Sequence, residues 1–480
     1  MIDSRQLTDV FLQEFEFEPT HDQAKLIFNL SEFLLDQNGS AAFILKGYAG
    51  TGKTTIVSNL VKVLPVLNAQ TVLLAPTGRA AKVLAGYSRK AAFTIHRQIY
   101  RSGTSAEGVI SFKLIPNKHI NTLFIVDEAS MISDSIDAQD KSVFSQRNLL
   151  DDLIEYVYSG DNCRLILIGD TAQLPPVNMK ESPALNVSYL KSAYNLEIWS
   201  NELTQVVRQE SDSGILYNAT IVRHKLLTQT NGFIKFQLEG FDDIQRPQGQ
   251  EASDIISESF SQRNFYNTIV VCRSNKRANL YNQYIRQRVL YQEDEIGAGD
   301  LLMVVKNNYH WLPKNSTASF IANGDIIEIK RIQRIEEIYG FRFASITMTM
   351  IDYPDEPDLD VIVLLDTLSA DGASLNWKDA NKLYQQVSMD YEDETNKRKR
   401  FAKIKNNPYF NALQVKFAYA LTCHKAQGGQ WENVFVEMGY IPDNEPDYEY
   451  YRWLYTACTR ATKNLYLLGF SGNFFNNNAE

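Results

Sequence analysis

The sequence predicts an α/β protein in which two parallel-sheet domains flank a small β-barrel, and three observations carry that prediction. From Ala41 to about Leu203 the short apolar runs AAFILKG, TVLLAPT, TLFIVDE and RLILIGD alternate with helical stretches, and each run ends at a polar or glycine-rich turn. Continuous runs of this kind are strands buried on both faces of a parallel sheet, joined by crossover helices. A second set, NTIVVCRS, QVKFAYALTC, VFVEMG and NLYLLGF, closes the chain. Between the sets, from about Gly299 to Thr367, the runs DLLMVV, DIIEIKRI, FRFASITMTMI and LDVIVLLD are separated by turns without helices. That pattern predicts a small antiparallel barrel.

Bulk composition bounds the function classes. At 480 residues the chain exceeds one ordinary domain. With 44% hydrophobic and 22% charged residues it has globular composition, and no apolar run approaches the roughly 20 residues that cross a bilayer. The acidic start MIDSRQLTDVFLQEFEFEPT has no basic-then-apolar order, so no leader and a cytoplasmic location are expected. Cys163, Cys272, Cys423 and Cys458 form no CxxC pair and no zinc spacing with the six histidines, so they read as reduced, buried thiols. A net charge of −9 excludes indiscriminate coating of nucleic acid but allows a local basic groove. A charged helical stretch, about Trp377 to Lys405, holds Lys397, Arg398, Lys399 and Arg400 in succession, a cluster that is most often a solvated face.

Chemistry enters at Gly47-Tyr48-Ala49-Gly50-Thr51-Gly52-Lys53-Thr54, which fits GxxxxGK[ST] between the strand AFILK and a helix beginning TIVSNLVKVL. In that setting the glycines let backbone N–H groups approach phosphate, and the helix N-terminus favours anions. Lys53 reaches the β- and γ-phosphates, and the Thr54 hydroxyl can ligate Mg²⁺. The strand LFIVDE then supplies Asp127 for the metal and Glu128 to polarise a water, and LIGDTAQLPPV places Gln173 where an amide can sense the γ-phosphate. ATP and Mg²⁺ are the expected ligands.

In order along the chain, these residues and further blocks resemble the superfamily 1 DNA helicases, within them the RecD-like and Dda-like group that moves 5′ to 3′. The blocks are Gln23 in PTHDQ, GYAGTGKTT, APTGRAA, TIHR, VDEASM, GDTAQLPPV, LTQVVRQ, LTCHKAQGGQW and YTACTRA. The resemblance implies two RecA-like domains, with a hairpin insertion in the first and an SH3-like barrel in the second. The expected limits are 1–96 with 119–200 for the first domain, 97–118 for the hairpin, 201–297 with 411–480 for the second domain, and 298–410 for the barrel with its helical insertion. It implies nucleotide contacts from Gln23, Gly47, Ala49, Gly50, Thr51, Gly52, Lys53, Thr54 and Thr55. Arg208 and Arg460 become the arginines that reach the γ-phosphate from the opposite domain, making hydrolysis depend on cleft closure. Gln430 stands where many relatives carry Glu; its amide can bond a ribose hydroxyl, but an ionic role is lost.

For nucleic acid, the resemblance points to Pro76, Thr77, His96, Thr422, His424 and Lys425. Hydroxyls, imidazoles and one cation suit a phosphate track that is gripped and released in each cycle. The segment RSGTSAEGVISFKLIPN resembles the hairpin pin of the group, with Phe112 as a residue able to stack on a base pair; the alternative is a hairpin whose aromatic packs on its own domain. Single-stranded DNA and single-strand/duplex junctions are the expected partners, with a monomer as the working expectation and no membrane. Two other readings stay open: an RNA helicase of the same superfamily, because the track faces phosphates, and a P-loop ATPase switch, which would need no track.

Overall fold

The computed structural model describes all residues except 1, 16, 37, 105–109, 136–147, 208–212, 231, 262–264, 314–315, 317–319, 373, 442–443 and 477–480, and gives only the backbone at 102–104 and 110–112. The N-terminal half contains β1 (Ala41–Gly47), β2 (Gln70–Ala75), β3 (Ala92–Thr94), β4 (Tyr100–Thr104), β5 (Ile110–Leu114), β6 (Thr122–Val126), β7 (Arg164–Gly169) and β8 (Glu197–Leu203). Six of them form a parallel sheet in the order β3-β2-β6-β7-β1-β8. Alternate residues of β1 feed the two faces. Phe43 and Leu45 pack with the helices Ser4–Gln13, His21–Leu35 and Lys53–Val63, while Ala42 and Ile44 pack with the helix Leu149–Tyr158. Lys46 lies opposite Gly169, and Val126 opposite both Leu74 and Leu167. The turns after β1, β2, β6 and β7 therefore emerge at one edge, where ligands of parallel sheets collect.

Strands β4 and β5 form a separate antiparallel hairpin in which Ser102 pairs with Phe112. The second half contains β9 (Ile244–Gln245), β10 (Thr268–Cys272), β11 (Leu301–Val304), β12 (Ile326–Ile338), β13 (Phe341–Met350), β14 (Leu359–Leu364), β15 (Leu413–Phe417), β16 (Ala420–Thr422), β17 (Trp431–Glu437) and β18 (Ala461–Leu468). A five-stranded parallel sheet runs β16-β10-β17-β18-β9. Strands β11 to β15 close into a barrel. The long β12–β13 ribbon turns through Tyr339 (φ 58°) and Gly340 (φ 71°), the double positive φ of a two-residue hairpin loop.

Two features depart from the sequence reading. The barrel is not wholly antiparallel, because it closes through a parallel pair in which Val363 lies opposite Leu413. The run QVKFAYALTC, read as one strand of the second α/β domain, is two strands: β15 completes the barrel and β16 joins the sheet. Only Ala418 and Tyr419 separate them, so the last barrel strand lies beyond the expected limit at 410. Hydrophobic periodicity shows that a segment is buried but not which sheet it joins. The charged stretch forms two helices, Trp377–Met389 and Lys397–Lys405.

Candidate active site at the domain cleft

The turn after β1 is shaped by Gly50 (φ 75°) and Gly52 (φ 87°), the latter capping the helix Lys53–Val63. A Cβ on Gly52 would fall 2.4 Å from the Gln23 amide nitrogen, so the cradle closes only around glycine. The Lys53 ammonium donates to the carbonyls of Gly47 (2.7 Å) and Tyr48 (2.8 Å). Thr51 is buried, whereas Thr54 and Thr55 are exposed at the first turn of the helix. An exposed hydroxyl and a free helix N-terminus on a glycine cradle fit a Mg²⁺-bound polyphosphate. The Gln23 side chain has other commitments. Its carbonyl accepts from the Thr20 N–H (3.0 Å) as half of a capping box, and its amide donates to the Thr51 carbonyl (3.1 Å). It braces the cradle from behind.

Asp127 and Glu128 follow β6 at the same edge. The Tyr87 hydroxyl donates to Asp127 Oδ2 (2.6 Å) and the Glu128 N–H to its Oδ1 (2.8 Å). Glu128 adopts φ 52°, a left-handed conformation that a non-glycine residue takes at a cost and that clusters at functional sites. Burial holds its carboxyl above the usual range; Arg460 and Lys53 oppose that shift, and Asp127 and Asp170 add to it. Residues from four separate segments thus share one electrostatic centre, and a raised carboxyl suits a general base.

The second half of the chain reaches this centre through the helix Tyr448–Cys458. The Tyr455 hydroxyl accepts from the Ala49 N–H of the cradle (2.8 Å) and donates to Asp170 Oδ2 (2.7 Å). Arg452 donates to the carbonyls of Thr171 (3.1 Å), Gln173 (2.8 Å) and Lys180 (2.6 Å). Thr456 Oγ1 accepts from the Leu174 N–H (2.8 Å), and the Gln427 amide donates to the Leu174 carbonyl (2.7 Å). Gln173 is itself buried, and its side-chain carbonyl has no hydrogen-bond partner among the described residues. Arg460, two residues past the helix, is buried and donates to the carbonyls of Thr456 (3.0 Å) and Gly429 (3.3 Å).

Of these cross-cleft residues the sequence reading names Gln173 and Arg460 and misses Arg452, Tyr455, Thr456 and Gln427. A signal exists. Arg452, Tyr455 and Thr456 stand at i, i+3 and i+4 in a helix whose residues 450–458 are all buried, and polar groups on one buried face must be bonded to something.

Beside the nucleotide centre, Thr77 caps the helix Gly78–Ser88 through the Ala80 N–H (3.2 Å). The turn holding Gly428 abuts it: a Cβ on Gly428 would lie 2.9 Å from Ala80 Cβ and 3.3 Å from Thr77 Oγ1. The Arg79 guanidinium stacks 3.9 Å from the Trp431 ring. Thr422 and Pro76 are half-buried and His424 is exposed. Lys425 Nζ is buried without a hydrogen-bond partner among the described residues, and burial, with help from Lys416, lowers its ammonium to about 8. His96 packs against the rings of Tyr100 (5.7 Å) and Phe320 (5.6 Å), and burial lowers it to about 4, which is the environment of a packed, neutral histidine. Gln430 is exposed. Arg208 and the Phe112 side chain lie outside the described residues.

A glycine cradle, paired carboxylates and a buried arginine from the opposite half of the chain define a P-loop nucleoside triphosphatase of the two-domain motor class. Comparison with known families agrees. An AAA domain model matches residues 30–226, and a UvrD-like helicase C-terminal domain model matches residues 417–468. An uncharacterised protein, R530, of Acanthamoeba polyphaga mimivirus is 25% identical over 505 residues, covering 91% of this chain and 97% of that protein. The ATP-dependent RecD2 DNA helicase of Deinococcus radiodurans is 32% identical over 192 residues, 40% of this chain and 23% of that one. The ATP-dependent DNA helicase dda of Enterobacteria phage T4 is 26% identical over 266 residues, 54% and 55% of the two chains. This chain therefore spans nearly all of the mimivirus protein but about half of the phage helicase and a quarter of the bacterial one. Over these segments the chain is similar to superfamily 1 DNA helicases, among them the ATP-dependent RecD2 and dda enzymes. No helix among the described residues is long and apolar enough to cross a membrane.

Proposed function

We propose that the chain hydrolyses ATP to step 5′ to 3′ along single-stranded DNA and to open the duplex ahead of it. The observation that carries this reading is the helix Tyr448–Cys458, which bonds both the phosphate cradle and the loop after β7. A nucleotide site built from both halves of the chain changes when the cleft opens or closes, and that is what converts hydrolysis into movement. Thr54 and Asp127 would hold Mg²⁺, which supplies charge neutralisation at the phosphate oxygens when bound. Lys53 steadies the phosphates, Glu128 draws the proton from the attacking water, and Gln173 senses the γ-phosphate. Arg460, with Arg208, compensates the charge that develops in phosphoryl transfer.

Thr77, Thr422, His424 and Lys425 form the strand track, with Pro76 shaping its turn. The buried, unpartnered Lys425 ammonium supports this, because such a cation is costly until an anion meets it. His96 orders the track's flank by packing rather than by touching phosphate. The expected domain limits stand in this proposal, with the barrel extended to Phe417. Strand displacement on duplexes carrying only a 5′ tail or only a 3′ tail is the test. Opening of the 5′-tailed duplex alone is expected; opening of the 3′-tailed one alone reverses the polarity, and ATP turnover indifferent to single-stranded DNA or RNA turns the chain into a switch. RNA oligomers matching DNA as activators would move the substrate class.

A further inference from the structure

The helix Lys397–Lys405 carries six cations, Lys397, Arg398, Lys399, Arg400, Lys403 and Lys405, and no acid, in a chain whose net charge is −9. Its placement of charge is unfavourable for folding. Lys397, Arg398 and Lys399 occupy the first turn, where the helix dipole repels cations and which holds no acidic residue. The acidic turn before it offsets only part of this charge, since Glu394 pairs with Lys403 of the same helix (3.0 Å) and Asp390 accepts from the Tyr339 hydroxyl. Arg400 turns inward to the Ser388 carbonyl (2.9 Å). Lys397, Arg398, Lys399 and Lys403 remain exposed.

At the far end of the helix, Lys405 lies over the rings of Phe401 (5.6 Å) and Phe410 (5.5 Å). Burial lowers its ammonium and the nearby positive charge of Lys306 lowers it further, so cations converge there from two elements. Lys306 begins the loop that carries Tyr309 and Phe320, whose rings meet at 4.8 Å, and Phe320 packs on His96 beside Tyr100, the first residue of the β4–β5 hairpin. The loop after β11 thus packs on the root of the hairpin through Phe320, and its Lys306 brings a positive charge near the end of the basic helix.

We propose that the helix Lys397–Lys405 is a second nucleic-acid contact, which grips the phosphate backbone of the duplex before it reaches the strand track. At 1.5 Å per residue the nine-residue helix spans about 13 Å, roughly four phosphates of one strand. The surface offers cations without a row of exposed rings: Phe401 is 39% exposed and already lies beneath Lys405. Single-strand grooves combine charge with stacking platforms, whereas a duplex hides its bases and presents phosphate alone. The grip would be sequence-independent and screened by salt.

This inference rests on the helicase reading, and its test separates the two. The probes are a fluorescent 5′-tailed fork and the same tail as a free single strand, titrated by anisotropy at several salt concentrations. In the triple variant Lys397→Ala/Arg398→Ala/Lys399→Ala, the fork's log–log salt slope should shrink by about 3, roughly one unit for each phosphate no longer neutralised. The single-strand slope and the ATP turnover at saturating single strand should match the parent. Removing cations from a first turn favours the helix, so the melting temperature should hold or rise; a double variant Lys399→Gln/Lys403→Gln should give a smaller shift of the same kind. An unchanged fork slope returns the helix to a solvated face, and equal weakening on fork and single strand assigns it to the track; either result overturns the proposal. A parent chain with no strand-stimulated turnover overturns the helicase reading itself.

Discussion

The two parallel sheets face one cleft with unequal equipment. The first ends its neighbouring strands β6, β7 and β1 in Asp127 and Glu128, in Asp170, and in the glycine cradle. The second ends β16 in the Gly428 turn and reaches across through the helix Tyr448–Cys458, with Arg452, Tyr455, Thr456 and, just beyond it, Arg460, and through the helix Gly214–Thr228, whose Arg223 lies 4.7 Å over the Tyr48 ring. One sheet holds the carboxylates and the cradle; the other brings arginines that donate to the first sheet's carbonyls and hydroxyls that accept from its Ala49 and Leu174 N–H groups. In the proposed mechanism, the groups for chemistry and the groups that complete the site thereby come from different sheets.

Four measurements break or sharpen that division. Glu128→Gln removes the base from the first sheet and leaves every cross-cleft bond in place. ATP turnover should fall about 10²–10⁴-fold with nucleotide and strand binding retained, and turnover near the parent level in a stopped assay would remove Glu128 from the mechanism. Phe112→Ala changes a residue of the β4–β5 hairpin, whose strands belong to neither parallel sheet. Loss of stacking worth about 1–3 kcal/mol per base should cut unwinding by roughly ten- to a hundredfold, while strand-stimulated ATP turnover, and displacement of streptavidin from a biotinylated single strand, hold. If both activities fall together, the ring packs on the first domain.

Tyr455→Phe keeps a buried ring and deletes a hydroxyl that bonds Ala49 and Asp170. Leaving those groups unsatisfied costs about 1–3 kcal/mol, so kcat should fall about tenfold with little change in KM. A pure KM effect would mean that the hydroxyl only shapes nucleotide entry. The smallest effect is electrostatic. With its ammonium lowered to about 8, Lys425 is a cation at pH 7 and loses its charge as pH rises through 8. Strand affinity should be full at pH 7 and decline by up to about tenfold towards pH 9. Lys425→Met should flatten that decline in anisotropy titrations of a single-stranded oligomer; a parallel decline in parent and variant would exclude Lys425 from the track.

Legibility in the sequence follows the same division. The first sheet's groups are each local in sequence, a strand followed at once by its loop, so AFILK-GYAGTGKT and LFIVDE can be read directly. The second sheet's contribution is spread over pairs 253 to 406 residues apart. No local pattern reports that Arg452 faces the Thr171 and Gln173 carbonyls, because the helix reads as a buried segment until its partner surface is known. Gln23 shows a residue with a second, structural use that the motif alone does not report. Thr20 and Gln23 have capping-box spacing, and the structure uses the amide for that cap and for the cradle's spine. The motif around His96 points the imidazole at phosphate, yet Phe320, more than two hundred positions away, packs against its ring.

Gly428 sets a dimension. Its φ of 72° suits glycine, and a Cβ there would come within 2.9 Å of a methyl group on the opposing domain. Any larger side chain at 428 would have to push the two surfaces apart beside Thr77, so the closeness of the two halves at the proposed track depends on one missing methyl group.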